Sequence, residues 1–270
     1  IFIFPLGMGV EGAAIATSIS ISIGGFMALG YLLWRAKDLK LIRLKMSAKS
    51  IALAFRNVGY HCRIGSSTLL GELALAVMFY VGNRVFMHYL GDTGVGAYGI
   101  ACYYMPFFFM VGNSIAQSAQ PIISYNYGID RWTRIVEARK VLLMTCLGFG
   151  VAVSLIFILF PKGLVGLFIP IESEAAIIAI NGFPLLSIGI LFFILNVAII
   201  GYYQSVERMG KATLYVFLRG FVFIVPCFLI LPKFLGTVGI WLAMPASELL
   251  TSLFIALSVL PSRLKSLRKR

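Results

Sequence analysis

Charge is scarce in this chain. Only 12% of its 270 residues are Asp, Glu, Lys or Arg and 60% are apolar, whereas a soluble domain carries roughly 25% and 45–50%. That balance excludes an ordinary water-soluble fold as the default. Histidine is limited to His61 and His88, 27 residues apart near opposite ends of one apolar run, so neither a metal centre nor a catalytic dyad can be assembled from them. The four cysteines, Cys62, Cys102, Cys146 and Cys227, lie in or beside separate apolar runs without a Cys-x-x-Cys pair. A disulfide framework and a zinc site are therefore not indicated. No nucleophile stands with a base or metal donors at mid-run, which argues against an intramembrane protease or acyl transferase. The opening Ile1-Phe2-Ile3-Phe4-Pro5 has neither an initiator Met nor the basic stretch of a signal peptide, and gives the expectation of a C-terminal portion of a longer protein.

What is abundant is apolar sequence in long stretches. Several exceed 18 residues with at most one charge, enough to cross a hydrocarbon core of about 30 Å at 1.5 Å per residue. Backbone groups in lipid must be satisfied within the segment, so each stretch is a helix. The fold class expected is all-α, a polytopic membrane bundle of about seven helices at 9–34, 58–90, 94–118, 136–160, 174–203, 212–232 and 237–260.

The basic residues then report topology. Segment 35–63 carries eight Lys and Arg, segment 131–140 carries Arg131, Arg134, Arg139 and Lys140, and the tail carries Arg263, Lys265, Arg268, Lys269 and Arg270. With Arg208 and Lys211 these make nineteen of the 23, all on one side of a seven-span chain, the cytoplasmic side by the positive-inside rule. Lys162 and Lys233 fall opposite, and Arg84 and Arg219 fall within spans. The net charge of +13 thus needs no nucleic-acid partner, and the C-terminus is expected in the cytoplasm.

The start of the first span, Gly9 to Ser20, can be laid without gaps on Gly236 to Ser247. Gly9, Gly12, Ala16 and Ser20 meet Gly236, Gly239, Ala243 and Ser247. Both copies run inward, which suggests a parallel repeat of six helices with an offset of 227 residues, and twelve helices in the intact protein.

Four passages carry a family resemblance: Gly9-Val10-Glu11-Gly12-Ala13-Ala14-Ile15-Ala16-Thr17, Gln117-Ser118-Ala119-Gln120-Pro121-Ile122-Ile123-Ser124-Tyr125-Asn126-Tyr127-Gly128, Gly201-Tyr202-Tyr203-Gln204-Ser205, and the run from Leu231 to Leu250. Through them the chain resembles the multidrug and toxic compound extrusion (MATE) transporters. The resemblance implies two six-helix lobes around a substrate cavity, no cofactor, and export of lipophilic or cationic small organic compounds against an inward flow of Na⁺ or H⁺ across a bacterial inner membrane. Residues 1–34 would be the last N-lobe helix, 35–57 a basic inter-lobe linker, 58–260 the six-helix C-lobe and 261–270 a basic tail. The missing N-terminal lobe and membrane lipid would be its partners. Two departures stand out: apolar residues occupy the position about one turn beyond Glu72 where some members carry an acid, and Phe192 and its neighbours replace an Asp of the fourth C-lobe helix. A lipid-linked oligosaccharide flippase of similar fold is the alternative, and it would want more Arg and Lys for pyrophosphate.

Candidate pathway residues follow from the cost of polar groups in lipid. Gly65, Thr68, Glu72, Phe79 and Asn83 share one helix face at 100° per residue, a stripe expected to border water. Glu72 is read there as a cation-binding or protonatable group, or as a structural hydrogen-bond partner of Arg63 or a neighbouring helix. Glu248 shares a face with Trp241, Met244 and Ser252, readable as a pocket for flat organic cations or as packing with Glu248 paired to Arg219. Asn196 and Tyr203 share a face of the fifth span as interhelical hydrogen-bonders. Arg219 and Arg84 are expected to snorkel, Pro106 to kink the third span, and Gln117, Gln120 and Asn126 to be exit and capping residues.

Overall fold

A computed structural model describes residues 2, 5–36 and 47–267. The expected linker residues 37–46 and tail residues 268–270 lie outside them. Two compact units divide the chain, Ile1–Val58 and Gly59–Arg270. The first holds α1 (Gly9–Trp34), which is exposed along most of its length, with Gly12 its one buried residue. An apolar helix so uncovered is one built for lipid or for other helices.

Helix α2 (Ala48–Gly128) starts in the first unit, and from Gly59 onward it builds the second with α3 (Trp132–Leu159), the short α4 (Pro161–Gly166), α5 (Glu174–Ser205), α6 (Met209–Phe217), a π-helical turn at Leu218–Phe223 and α7 (Ile224–Leu267). Five helical runs are long and apolar enough to cross a membrane: α1, α2, α3, α5 and Met209–Ser258. Two of them double back. Gly91 (φ 63°, ψ −157°) and Gly236 (φ 57°, ψ −134°) adopt a backbone conformation essentially closed to residues with a side chain. Around Gly91 the two arms of α2 lie side by side, because Tyr98 donates from its hydroxyl to the Met78 carbonyl (3.0 Å) and Phe109 reaches Gly71. Around Gly236, Tyr215 and Ser258 bond through their hydroxyls at 2.7 Å. Counting each arm separately, the described residues hold seven apolar helical segments, the number that the hydropathy pattern predicts. Pro106 sits inside continuous helix, and among the described residues of α2 the non-helical break falls at Gly91 instead.

The two copies of the sequence repeat begin alike. Gly9 and Gly236 both have positive φ (52° and 57°). Three residues on, a side chain at Gly12 would strike the Phe2 carbonyl and one at Gly239 the Leu231 carbonyl. Gly-x-x-Gly is thus a helix-start device, one glycine for the turn and one for close passage of the preceding chain.

Helix α5 is the centre of the second unit. Its Gly201 packs on Ala116 of α2, Leu191 packs on Gly150 of α3, and Gly182 and Gly189 lie against Trp241 and against Met244 and Pro245 of α7. Lipid offers no hydrophobic drive between helices, so close approach through small residues holds them together. Gly182→Val would drive a side chain into the Trp241 indole, and we expect a loss of roughly 1–3 kcal/mol or more, read as a lower unfolding midpoint in detergent.

Candidate functional site

The sequence stripe on α2 diverges along the helix. Thr68 and Glu72 border a cleft of about 160 Å³, joined by Asn113, Gln117 and Gln120 from the second arm of α2, Gln204 from α5 and Arg219 from the π-helical turn. Phe79 and Asn83 lie two to three turns further along, Phe79 half-buried against the core and Asn83 exposed, and neither borders this cleft. Glu72 is exposed and is the carboxylate on the cleft wall. Gln204 closes one corner by donating to the Ser67 hydroxyl at 2.9 Å.

Behind the cleft lies a buried polar network. Glu248 is 2% exposed; Arg219 donates from Nε to its Oε1 at 2.6 Å, and Asn196 donates from Nδ2 to its Oε2 at 2.8 Å. The same amide nitrogen reaches the Glu248 backbone carbonyl at 2.9 Å, and Ser252 donates to Asn196 Oδ1 at 2.9 Å. The Arg219 guanidinium also lies over the Phe193 ring, 4.1 Å from its centroid, a cation–π contact strengthened by the dry surroundings. Of the two sequence readings of Arg219, snorkelling and pairing with Glu248, the structure has the second, with the guanidinium buried and ion-paired. Among the described residues every buried side-chain nitrogen and oxygen has a hydrogen-bond partner. Arg219 also lines the cleft, so one side chain belongs both to the buried pair and to the cleft wall.

Local structure makes this double duty possible. The π-helical turn carries an extra residue per turn, so Gly220 can press on Ala74 of α2 while Arg219 turns toward α7.

Trp241 and Met244 share the face of Glu248 and are buried in the core, 4% and 3% exposed. Trp241 meets Phe86 edge-on with ring centroids 5.0 Å apart. Tyr203 is buried at the far end of α5, edge-on to Tyr215 at 5.3 Å, with the Lys211 ammonium 5.4 Å from its ring centroid. Arg84 is exposed. Asn126 bonds back to the Ile122 carbonyl. Gln117 and Gln120, by contrast, line the cleft rather than a helix exit; with Asn113 they recur at helical spacing, a signal in the sequence that marks the wall opposite Glu72. Among the described residues no three His, Cys, Asp or Glu side chains group as a metal site would require.

Comparison with known proteins bears on this architecture. Residues 68–229 match the MatE family. The chain is 25% identical over 264 residues to the multidrug export protein MepA of Staphylococcus saprophyticus, covering 96% of this chain and 55% of that protein. It is 28% identical over 193 residues to the probable multidrug resistance protein NorM of Rhizobium meliloti, covering 70% and 39%. The chain thus spans about half the length, or less, of these curated relatives. Its fold matches a multidrug resistance MATE family transporter of the MOP superfamily in the outward-facing conformation (TM-score 0.82, 20% identity, 100% of this chain and 59% of that one). The match to an inward-facing conformation has a TM-score of 0.75, with 20% identity over 100% of this chain and 61% of that one. With more than half of its length matched and an all-helical membrane bundle to carry the match, the chain belongs to the MatE family.

Proposed function

We propose that the chain forms one half of a multidrug exporter that moves lipophilic or cationic organic compounds outward by alternating access, in exchange for Na⁺ or H⁺ and without a cofactor. The observation that carries this reading is the polar cleft: an exposed carboxylate, Glu72, faces amide groups and the rim of a buried Arg219–Glu248 pair inside an apolar bundle. Such groups are costly in a membrane and mark solute pathways. A cation or proton satisfies Glu72 in one state and a positively charged drug in the other, so the two ligands compete for a single site. Coupling arises when each binds the inward- and outward-open arrangements unequally. The partner lobe supplies the facing wall, the nineteen clustered basic residues face the cytoplasm, and the protein sits in a bacterial inner membrane with its C-terminus inside.

The names of the relatives support drug export over a lipid-linked oligosaccharide flippase. So does the charge of the cleft, whose cation is already engaged by Glu248. Thr68→Trp tests the cleft directly: an indole there fills it while α2 stays helical. In the intact protein reconstituted in vesicles, we expect dye efflux to fall at least tenfold at an unchanged unfolding midpoint. Undiminished efflux would remove this cleft from the pathway.

A further inference from the structure

A second groove lies on the opposite face of α5 from the cleft. It holds about 590 Å³ between α3, α5 and α7. Its floor is apolar, with Leu143, Met144 and Leu147 from α3 and Phe192, Leu195 and Ile199 from α5. At one end stand Arg139 and Lys140, and no carboxylate lines it. We propose that this groove binds an anionic phospholipid, the phosphate held between Arg139 and Lys140 and one acyl chain laid along the floor.

Three features select that occupant. The first is charge left without a counter-ion. Among the described residues the ion pairs are Arg134 with Glu137 and Arg219 with Glu248, so Arg139 and Lys140 have no carboxylate partner. Arg134, five residues earlier on the same helix, borders a neighbouring groove together with its neutralising Glu137 at 3.2 Å; that groove offers no net positive charge. Arg139 is moreover held in place, its guanidinium 5.4 Å from the centroid of the Tyr202 ring. A fixed guanidinium with free donors, beside an ammonium, is a phosphate site.

The second feature is depth. Arg139 and Lys140 are followed by an uncharged run to the end of α3 at Leu159, and Trp132, half-exposed one turn or two before them, meets the edge of Tyr127 at 5.7 Å. Aromatic rings and basic side chains at the mouth of an apolar run mark the headgroup level. The third is length. From Arg139 to Leu147 the helix rises about 12 Å, close to the roughly 15 Å of one hydrocarbon leaflet. The groove matches a headgroup and a chain, end to end. Ser252 stands on its wall and donates to Asn196, so the bound lipid lies one side chain from the network holding Glu248.

Native mass spectrometry of the intact protein, stripped of lipid and titrated with phosphatidylglycerol or with phosphatidylcholine of identical chains, tests this. Phosphatidylglycerol should bind more tightly, and R139Q/K140Q should weaken it roughly 30-fold, since each basic residue contributes about fivefold near a membrane surface. Binding of phosphatidylcholine should not change in that variant. Met144→Trp, which blocks the floor and keeps both charges, should weaken both lipids, and Arg134→Gln should leave both within twofold. Equal affinity of the unaltered protein for the two lipids, or phosphatidylglycerol binding indifferent to R139Q/K140Q, overturns the proposal. So does an absence of saturable binding, the result expected if another part of the protein covers the groove.

Discussion

Replacing Arg219 by Met destabilises the bundle by about 3–5 kcal/mol, the cost of stranding a buried charge. Glu248 is 2% exposed and keeps its two side-chain oxygens occupied by Arg219 and Asn196. Removing the guanidinium takes the donor from Glu248 Oε1 and leaves the buried carboxylate without its ion-pair partner. The double replacement R219M/E248M should recover most of the loss. Two apolar side chains of similar volume then meet where two ions met, and Asn196 retains the backbone carbonyl of residue 248 at 2.9 Å and the Ser252 hydroxyl at 2.9 Å. Unfolding of the intact protein in mixed micelles, followed by circular dichroism against added sodium dodecyl sulfate, measures both. An R219M protein that unfolds where the unaltered one does would mean that water reaches Glu248 and that the pair is not buried. The recovered double variant should still transport poorly, since Arg219 also lines the cleft.

That pair was legible in the sequence as one of two readings of Glu248, because only Arg219 stood in the neighbouring span with opposite charge. The fate of Trp241 and Met244 was not. Helical spacing places them on the face of Glu248, but it does not say whether that face meets water or another helix, since both sides of a membrane helix are apolar. The deciding signal sits on a different helix: Gly182 and Gly189, seven residues apart on α5, form the shallow surface that receives Trp241 and Met244. The long apolar helices were legible because hydrocarbon thickness fixes a minimum apolar length. Their ends were not, and α2 starts at Ala48 and runs to Gly128, ten residues beyond the apolar run on each side, because a helix does not stop at the membrane surface. The reversal at Gly91 needs a single left-handed residue where a short loop was expected. The π-helical turn at Leu218–Phe223 leaves no mark in composition or period, although it directs Arg219 toward α7.

Glu72→Gln should lower dye efflux at least tenfold and abolish its dependence on either the Na⁺ gradient or the pH gradient, with the unfolding midpoint unmoved. The contrast with R219M is physical. Glu72 is exposed and makes no ion pair within 4.0 Å among the described residues, so losing its charge breaks no ion pair among them. Gln keeps its length and hydrogen-bonding capacity and loses only the ability to bind a cation or release a proton, so a change in transport isolates that ability. Glu72→Asp, which withdraws the carboxylate by one methylene, should keep the gradient dependence at reduced rate. The gradient whose influence disappears in Glu72→Gln names the coupling ion. Efflux that keeps its rate and its gradient dependence in Glu72→Gln would move the exchange site off this wall, leaving Asn113, Gln117 and Gln120 as a polar lining without an ion to exchange.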